Sequence, residues 1–162
     1  VWYRGNEGKP MKKLRFYSSW NMDAVYNRYL VNNDKKFIVE VCTFLKSNPD
    51  LEFSWCSDVT AIDWASRKNR FTVVYNIFSM KHNFRLRLKA DVDESDCTID
   101  TVSFVWKSAN WQERETYDMY GIKFNNHPDL RRMYMPEEFE YHPLRKDFPL
   151  MGIPGSLPLP RK

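Results

Sequence analysis

Arg70-Phe71-Thr72-Val73-Val74-Tyr75-Asn76-Ile77-Phe78-Ser79-Met80, separated by three residues from Phe84-Arg85-Leu86-Arg87-Leu88-Lys89-Ala90, is the stretch that decides the fold. The first run is β-branched or aromatic at most positions, which predicts a strand buried on both faces. The second alternates Phe, Leu, Leu and Ala with Arg, Arg and Lys, which predicts a strand with one dry face and one wet, positively charged face. Residues 80–83 are then the hairpin connection.

Upstream, residues 51–56 alternate Leu, Phe and Trp with Glu and Ser, the pattern of a half-buried strand. Residues 34–45 read as a helix. Phe37, Ile38, Val41, Phe44 and Leu45 share one apolar face, Asn33 or Asp34 can cap the start, and Ser47-Asn48-Pro49 ends it. Residues 24–31 fit a helical stripe or a strand stopped by Asn32-Asn33-Asp34, and the β-branched and aromatic content favours the strand. Residues 1–20, basic and carrying Trp2, Tyr3 and Trp20, read as an irregular arm. The elements add up to an α+β fold: an antiparallel or mixed sheet with helices packed on one face.

Downstream, Asn110 followed three residues later by Glu113 has the form of a capping box, and Gly121 stands where a left-handed residue would stop the helix. A helix over residues 111–120 follows. Glu115 and Asp118 on it are neighbours of like sign and need a cation. Arg131, Arg132 or Arg145 can supply one, because guanidinium forks match carboxylates. Beyond His127 the composition shifts: seven of the nine prolines lie in the last 35 residues. Proline removes amide donors, so this end cannot form a helix or a central strand. It still carries Phe139, Tyr141, Leu144, Phe148, Leu150 and Ile153, and must lie on its own domain or on another protein. Two regions are therefore expected: an α+β domain over 1–125 and an extended Pro-rich tail over 126–162 that docks on a partner.

Composition excludes several classes. With 162 residues, 43% hydrophobic and only five glycines, the chain has material for one sizeable core and is neither disordered nor collagen-like. No apolar run approaches the roughly 18 residues of a membrane helix. No continuous apolar run follows Lys12, Lys13 and Arg15, so no secretory signal is expected. The net charge of +4 is too mild to imply nucleic acid. Its distribution is uneven: seven basic residues and no acid over 67–89, then five acids and no base over 91–100. Such blocks pair across a turn or face solvent separately, with a basic docking face as the alternative. Cys42, Cys56 and Cys97 form no C-x-x-C and read as reduced, mostly buried thiols.

The chain also lacks several kinds of chemistry. His127 and His142 stand 15 apart, without the i, i+4 spacing of a helical metal pair, and each precedes proline, which points to turns. There is no G-x-G-x-x-G, phosphate-binding G-K-[ST] or G-x-S-x-G. The cluster Glu113, Glu115 and Asp118 could form an acid–base pair, but carboxylates beside several arginines more often hold structure. The basic, aromatic strands lack the RNP1 pattern of an RNA-binding sheet.

The run Ala109-Asn110-Trp111-Gln112-Glu113-Arg114-Glu115-Thr116-Tyr117-Asp118-Met119-Tyr120-Gly121 resembles the hallmark of the 30 kDa (C-type) subunit of respiratory complex I, the proton-translocating NADH:ubiquinone oxidoreductase. The resemblance continues through Asn126-His127-Pro128-Asp129-Leu130-Arg131-Arg132 and His142-Pro143-Leu144-Arg145-Lys146-Asp147-Phe148-Pro149-Leu150. It includes upstream segments around Ser57-Asp58 and Asn69-Arg70 and covers about residues 34–150. The family often has Gly where Tyr141 stands, and many members carry a long acidic extension after Phe-Pro-Leu.

The resemblance implies a subunit that binds no cofactor itself, within a complex that holds FMN, iron–sulfur clusters and ubiquinone. It implies a place in the peripheral arm against the 49 kDa (D-type) subunit, on the matrix face of the mitochondrial inner membrane or the cytoplasmic face of a bacterial one. Glu113, Arg114, Glu115, Asp118, Gly121, His127, Pro128, Arg131, Arg132, His142, Pro143, Arg145, Lys146, Asp147 and Phe148 are then the structural and docking residues. The helix is expected to fix the turn at His127 and launch residues 130–150 across a neighbour. Truncation near residue 128 is expected to abolish assembly and leave the sheet domain folded. Subunits of related membrane-bound hydrogenases or ferredoxin-linked complexes share parts of these motifs; a co-purifying NADH-binding flavoprotein would separate the two readings.

Overall fold

The computed structural model describes Phe16–Tyr17 and residues 28–149, with side chains from Asp34 onward. The features expected at Trp2, Tyr3, Trp20, Leu150 and Ile153 lie outside the described residues. Element order is β1 (Phe16–Tyr17), β2 (Arg28–Asp34), α1 (Ile38–Ser47), β3 (Trp55–Asp63), β4 (Phe71–Ser79), β5 (Phe84–Val92), β6 (Thr98–Asp100), α2 (Ala109–Tyr120) and β7 (Lys123–Asn125). A 3-10 turn, Lys35–Phe37, joins β2 to α1. The main sheet runs β1-β2-β5-β4-β3; β2 and β5 are parallel and the other pairs antiparallel, so the sheet is mixed. β6 and β7 form a small parallel pair.

Period-two alternation places one set of side chains under the helices. The register aligns Cys56-Ile77-Leu86, Val59-Tyr75-Leu88 and Ala61-Val73-Ala90 across β3, β4 and β5. All nine of these residues are buried, and Ile38, Val41, Cys42 and Leu45 of α1 join the same core. The helices thus pack on one face of the sheet, as the hydrophobic pattern requires.

The edge strand β3 is covered rather than left open. Ser108 Oγ donates to the Cys56 carbonyl (2.9 Å), Gln112 Nε2 to that of Ser57 (2.9 Å) and Thr116 Oγ1 to that of Val59 (3.1 Å). Positions 108, 112 and 116 fall one helical turn apart, so α2 lays a row of donors along the edge and blunts it as a template for foreign strands.

Several boundaries differ from the expectation. β2 runs through Asn32 and Asn33 to Asp34, because parallel pairing with β5 overrides the turn preference of these residues. Asp34 then accepts from the Lys36 amide and caps the 3-10 turn. The strand expected over 51–56 begins only at Trp55: Glu52 is left-handed (φ 44°), and Leu51 and Phe53 are tied back to the end of α1 through Asn48 and Leu45. The short strands β6 and β7 are too brief for a periodic signal. The three cysteines are free, with Cys42 and Cys56 buried. Burial, ahead of nearby acids, pushes the Cys56 thiol up to about 12.

Candidate functional site: the α2 clasp

The three sequence motifs meet around α2. Its second half ends in four carbonyls with no partner inside the helix. Gly121, left-handed at φ 77°, donates its amide to Tyr117 (2.8 Å). His142 Nδ1 bonds the Asp118 carbonyl (2.9 Å), the Leu144 amide bonds that of Met119 (3.1 Å), and Arg145 Nε bonds that of Tyr120 (2.6 Å). The segment His142-Pro143-Leu144-Arg145 is therefore the C-cap of α2, delivered from more than twenty residues away. Gly121 serves it twice over. A Cβ there would lie 2.5 Å from His142 Nε2 and 2.6 Å from Arg145 Nη2, so a larger residue would push against both cap side chains.

Asp118 holds the other side of the same segment. Its Oδ2 accepts from the amides of Met133 (3.0 Å), Tyr134 (2.7 Å) and Met135 (3.0 Å), while Oδ1 takes Arg132 Nη1 (3.0 Å). Burial works against the charge of this carboxylate, but the three amides and Arg132 outweigh it and hold the group below its usual range. Arg132 also donates to the Tyr141 carbonyl, linking both ends of the loop. The cation expected for Asp118 is thus Arg132. Arg131 pairs with Asp129 at the surface, and Arg145 serves the backbone instead. Glu115 is exposed.

The expected capping box does not form. α2 starts at Ala109 after Ser108, with no side-chain cap. Glu113 turns inward instead, fully buried, with Oε1 accepting from the Val102 amide (2.8 Å) and Oε2 from the Thr101 hydroxyl. A buried carboxylate with one amide and one hydroxyl is under-compensated, and burial pushes it up to about 7. His127 stands 3.7 Å from Glu113 Oε2; its Nε2 bonds the Asn110 carbonyl (3.1 Å) and its Nδ1 accepts from the Asp129 amide (3.1 Å). Those partners fix the neutral Nε2–H tautomer, and burial, followed by Arg114, keeps its affinity for a second proton low. His142 is likewise held neutral, by burial first and then by Arg145 and Arg132. Through Asn110 and Asp129, His127 ties the turn at Pro128 to the start of α2, and Arg114 Nε reaches on to the Arg131 carbonyl (3.2 Å).

A second anchor lies beyond anything the motif spacing suggests. Arg70 forks onto Asp63 through Nε and Nη2, both at 3.0 Å, and Nη2 also meets Asp147 at 2.9 Å. The Lys146 amide donates to Asp63 Oδ2 (2.8 Å). Burial opposes ionisation of Asp63, but Arg70 and two amides bring it down to about 2. The ends of β3 and β4, at Asp63 and Arg70, thus receive the Lys146-Asp147 end of the last motif.

Residues 126–149 are therefore bonded along their length to the domain, and the boundary drawn at 125/126 marks no break in contact. Truncation near residue 128 would strip the cap from α2 and remove the donors of Asp118. The segment still shows an apolar outer side. Phe139, Tyr141 and Phe148 form a ring cluster with centroids 5.7–6.5 Å apart, and Tyr134 (60% exposed) and Leu144 (52%) face outward. Among the described residues no group of three His, Cys, Asp or Glu is placed to hold a metal, and no helix is long and apolar enough to cross a membrane.

Comparison with known proteins accounts for these features. Residues 31–154 match the family described as respiratory-chain NADH dehydrogenase, 30 Kd subunit. The C-type subunit of the NADH-quinone oxidoreductase of Geobacter sulfurreducens is 55% identical over 116 residues, 71% of this chain and 70% of that protein. Its counterpart in Geobacter metallireducens is 56% identical over 122 residues, covering 75% and 74%. Among solved structures, a trypsin-resistant fragment of Nqo5 aligns with a TM-score of 0.58 at 31% identity, over 64% of this chain and 83% of the fragment. A chain of the archaeal membrane-bound sulfane sulfur reductase aligns with a TM-score of 0.71 over 85% of this chain and 78% of its own, but at 18% identity it speaks for the fold alone. The chain belongs to the family of 30 kDa, C-type subunits of the respiratory NADH dehydrogenase, complex I.

Proposed function

We propose that the chain is a cofactor-free structural subunit of the peripheral arm, which supports electron transfer from NADH to quinone by docking its 126–150 segment against the 49 kDa, quinone-site subunit. One observation carries this reading. Glu113, Asp118, His127 and His142 are engaged inward, on amides, a hydroxyl, carbonyls and an arginine, while the same segment turns Tyr134, Tyr141 and Leu144 outward. Rigid aromatics and leucine on a pre-organised loop bind a partner at low entropic cost, as interface anchors do. Membership of a complex whose other subunits supply flavin, clusters and quinone agrees with a brace that contributes geometry and no reacting group. The bacterial relatives support a place at the cytoplasmic face of a bacterial membrane; the mitochondrial matrix face is the equivalent setting in an organelle.

The test is a double substitution, Tyr134→Asp with Leu144→Asp, in the full chain. The expected result is loss of co-purification with the 49 kDa subunit, while circular dichroism and the urea midpoint of the isolated chain stay near wild type. Retention of the partner would remove the segment from the interface.

A further inference from the structure

The sheet face opposite the helices carries a charge gradient that the clasp does not use. The register sets four rows across it: Trp55-Phe78-Arg85, Asp58-Asn76-Arg87, Thr60-Val74-Lys89 and Ile62-Thr72-Asp91. Pairing with β2 adds Asp34 beside Asp91, so the face is basic at Arg85 to Lys89 and acidic at its other end. Like charges on neighbouring strands cost stability. Among the described residues, none of the ion pairs includes Arg85, Arg87 or Lys89. The acidic block over 91–100 does not neutralise them, because its Glu94 goes to Arg70 and its Asp96 to Lys35.

At the basic end lies a groove of about 480 Å³, lined by Trp55, Asp58, Asn76, Met80, Arg85 and Arg87 among others. Asp58 is already engaged: Asn76 Nδ2 donates to it (3.2 Å), and Arg87 Nε donates to Asn76 Oδ1 (2.9 Å). Arg85 lies over the Phe78 ring at 5.5 Å. Trp55 (49% exposed) and Met80 (63%) form an apolar wall beside these two cations. Tryptophan and arginine are the residues most often found as binding anchors, and methionine adapts to what it meets.

We propose that this groove receives an extended acidic segment of another polypeptide in the assembled complex, with a carboxylate on Arg85 and Arg87 and an apolar side chain against Trp55 and Met80. The flanking segments 1–27 and 150–162 have the wrong charge for the role. Residues 150–162 contain no acid, and residues 1–27 hold only Glu7 and Asp23 against five basic residues. The site is separate from the clasp, so its occupant does not depend on where the 126–150 segment docks.

The experiment places a photo-crosslinking amino acid at Met80 in the assembled complex and identifies the captured peptide by mass spectrometry. The expected capture is a peptide of another subunit with at least two Asp or Glu near the crosslinked residue. Arg85→Glu with Arg87→Glu should lower its yield at least about fivefold, because like charges now face each other, whereas Lys123→Glu should not. Should the double variant fail to assemble, Arg85→Gln alone is expected to lower the yield about twofold or more. Capture of a segment without acids, of residues 1–27 or 150–162, of a second copy, of lipid or RNA, or no capture, overturns the proposal. So does an undiminished yield in the charge variants.

Discussion

Two carboxylates on α2, five positions apart, are both removed from water and shift in opposite directions. Asp118 collects three amides and a guanidinium, and stays ionised below its usual range. Glu113 collects one amide, one hydroxyl and a neutral histidine at 3.7 Å, and is pushed up to about 7. Neither side chain touches water, but Glu113 lies deeper in the core and meets fewer donors, and both differences raise it relative to Asp118. Asp118 organises a loop that wraps it with backbone; Glu113 pins a turn that offers little backbone. One is a permanent charge that holds the clasp together, and the other is a titratable prop within the core.

The largest effect is expected from Asp118→Ala. Three amides and Arg132 lose their acceptor inside the fold, which should cost about 3–5 kcal/mol. Urea unfolding would show it, and proteolysis should cut within 126–149 before the sheet. An undisturbed segment would mean that Asp118 is not its anchor.

Gly121→Ala should follow at about 1–3 kcal/mol, from the left-handed backbone and from a Cβ that displaces His142 and Arg145. A loss confined to the strain of φ, with the His142 bond intact by NMR, would show that the close approach is soft.

Glu113→Gln sharpens the comparison through pH. The folded pKa of Glu113 is raised above its ordinary 4.5, so the folded state binds the proton more tightly. Its contribution is full below about 4.5 and is lost as pH rises to about 7. The wild-type chain should therefore lose on the order of 1–3 kcal/mol relative to Glu113→Gln across that window. His127 and His142, both lowered, tilt each curve the other way up to 6.5, so the difference between the two chains is the quantity to measure. Asp63 and Asp118, both depressed, act in a separate window, losing their contribution as pH falls below 3.8. A wild-type-minus-variant difference that is flat between 4.5 and 7 would remove the prop.

Glu115→Gln, on the same helix but facing water, should change stability by less than about 0.5 kcal/mol. A larger loss would show that Glu115 has a partner beyond the inward clasp.

The central strands, α1 and the end of α2 at Gly121 are legible in the chain because each depends on local periodicity or local backbone geometry. The hairpin over 80–83 is legible for the same reason, with Asn83 left-handed at φ 54°. What escapes a linear reading is register-dependent or distant. Asn110 and Glu113 have the spacing of a capping box, yet Glu113 finds better donors at Thr101 and Val102, twelve and eleven residues back. Choosing Arg132 over Arg131 and Arg145 as the partner of Asp118 needs the path of the loop. The Asp63–Arg70–Asp147 anchor joins residues 84 apart in sequence, and no spacing announces it. A lone arginine between Asn69 and Phe71 is an ordinary surface residue until its burial is known, and only then does its charge demand partners.

Chain order alone dictates the α+β layering and the family, because hydrophobic period, breakers and ordered motifs are properties of neighbours along the chain. Folding in three dimensions was needed to make His142 to Arg145 the cap of α2, to turn Glu113 inward, and to run one sheet face from basic to acidic. Each of these depends on which residues are brought within hydrogen-bonding or strand-pairing distance, and a linear order of residues does not contain that distance.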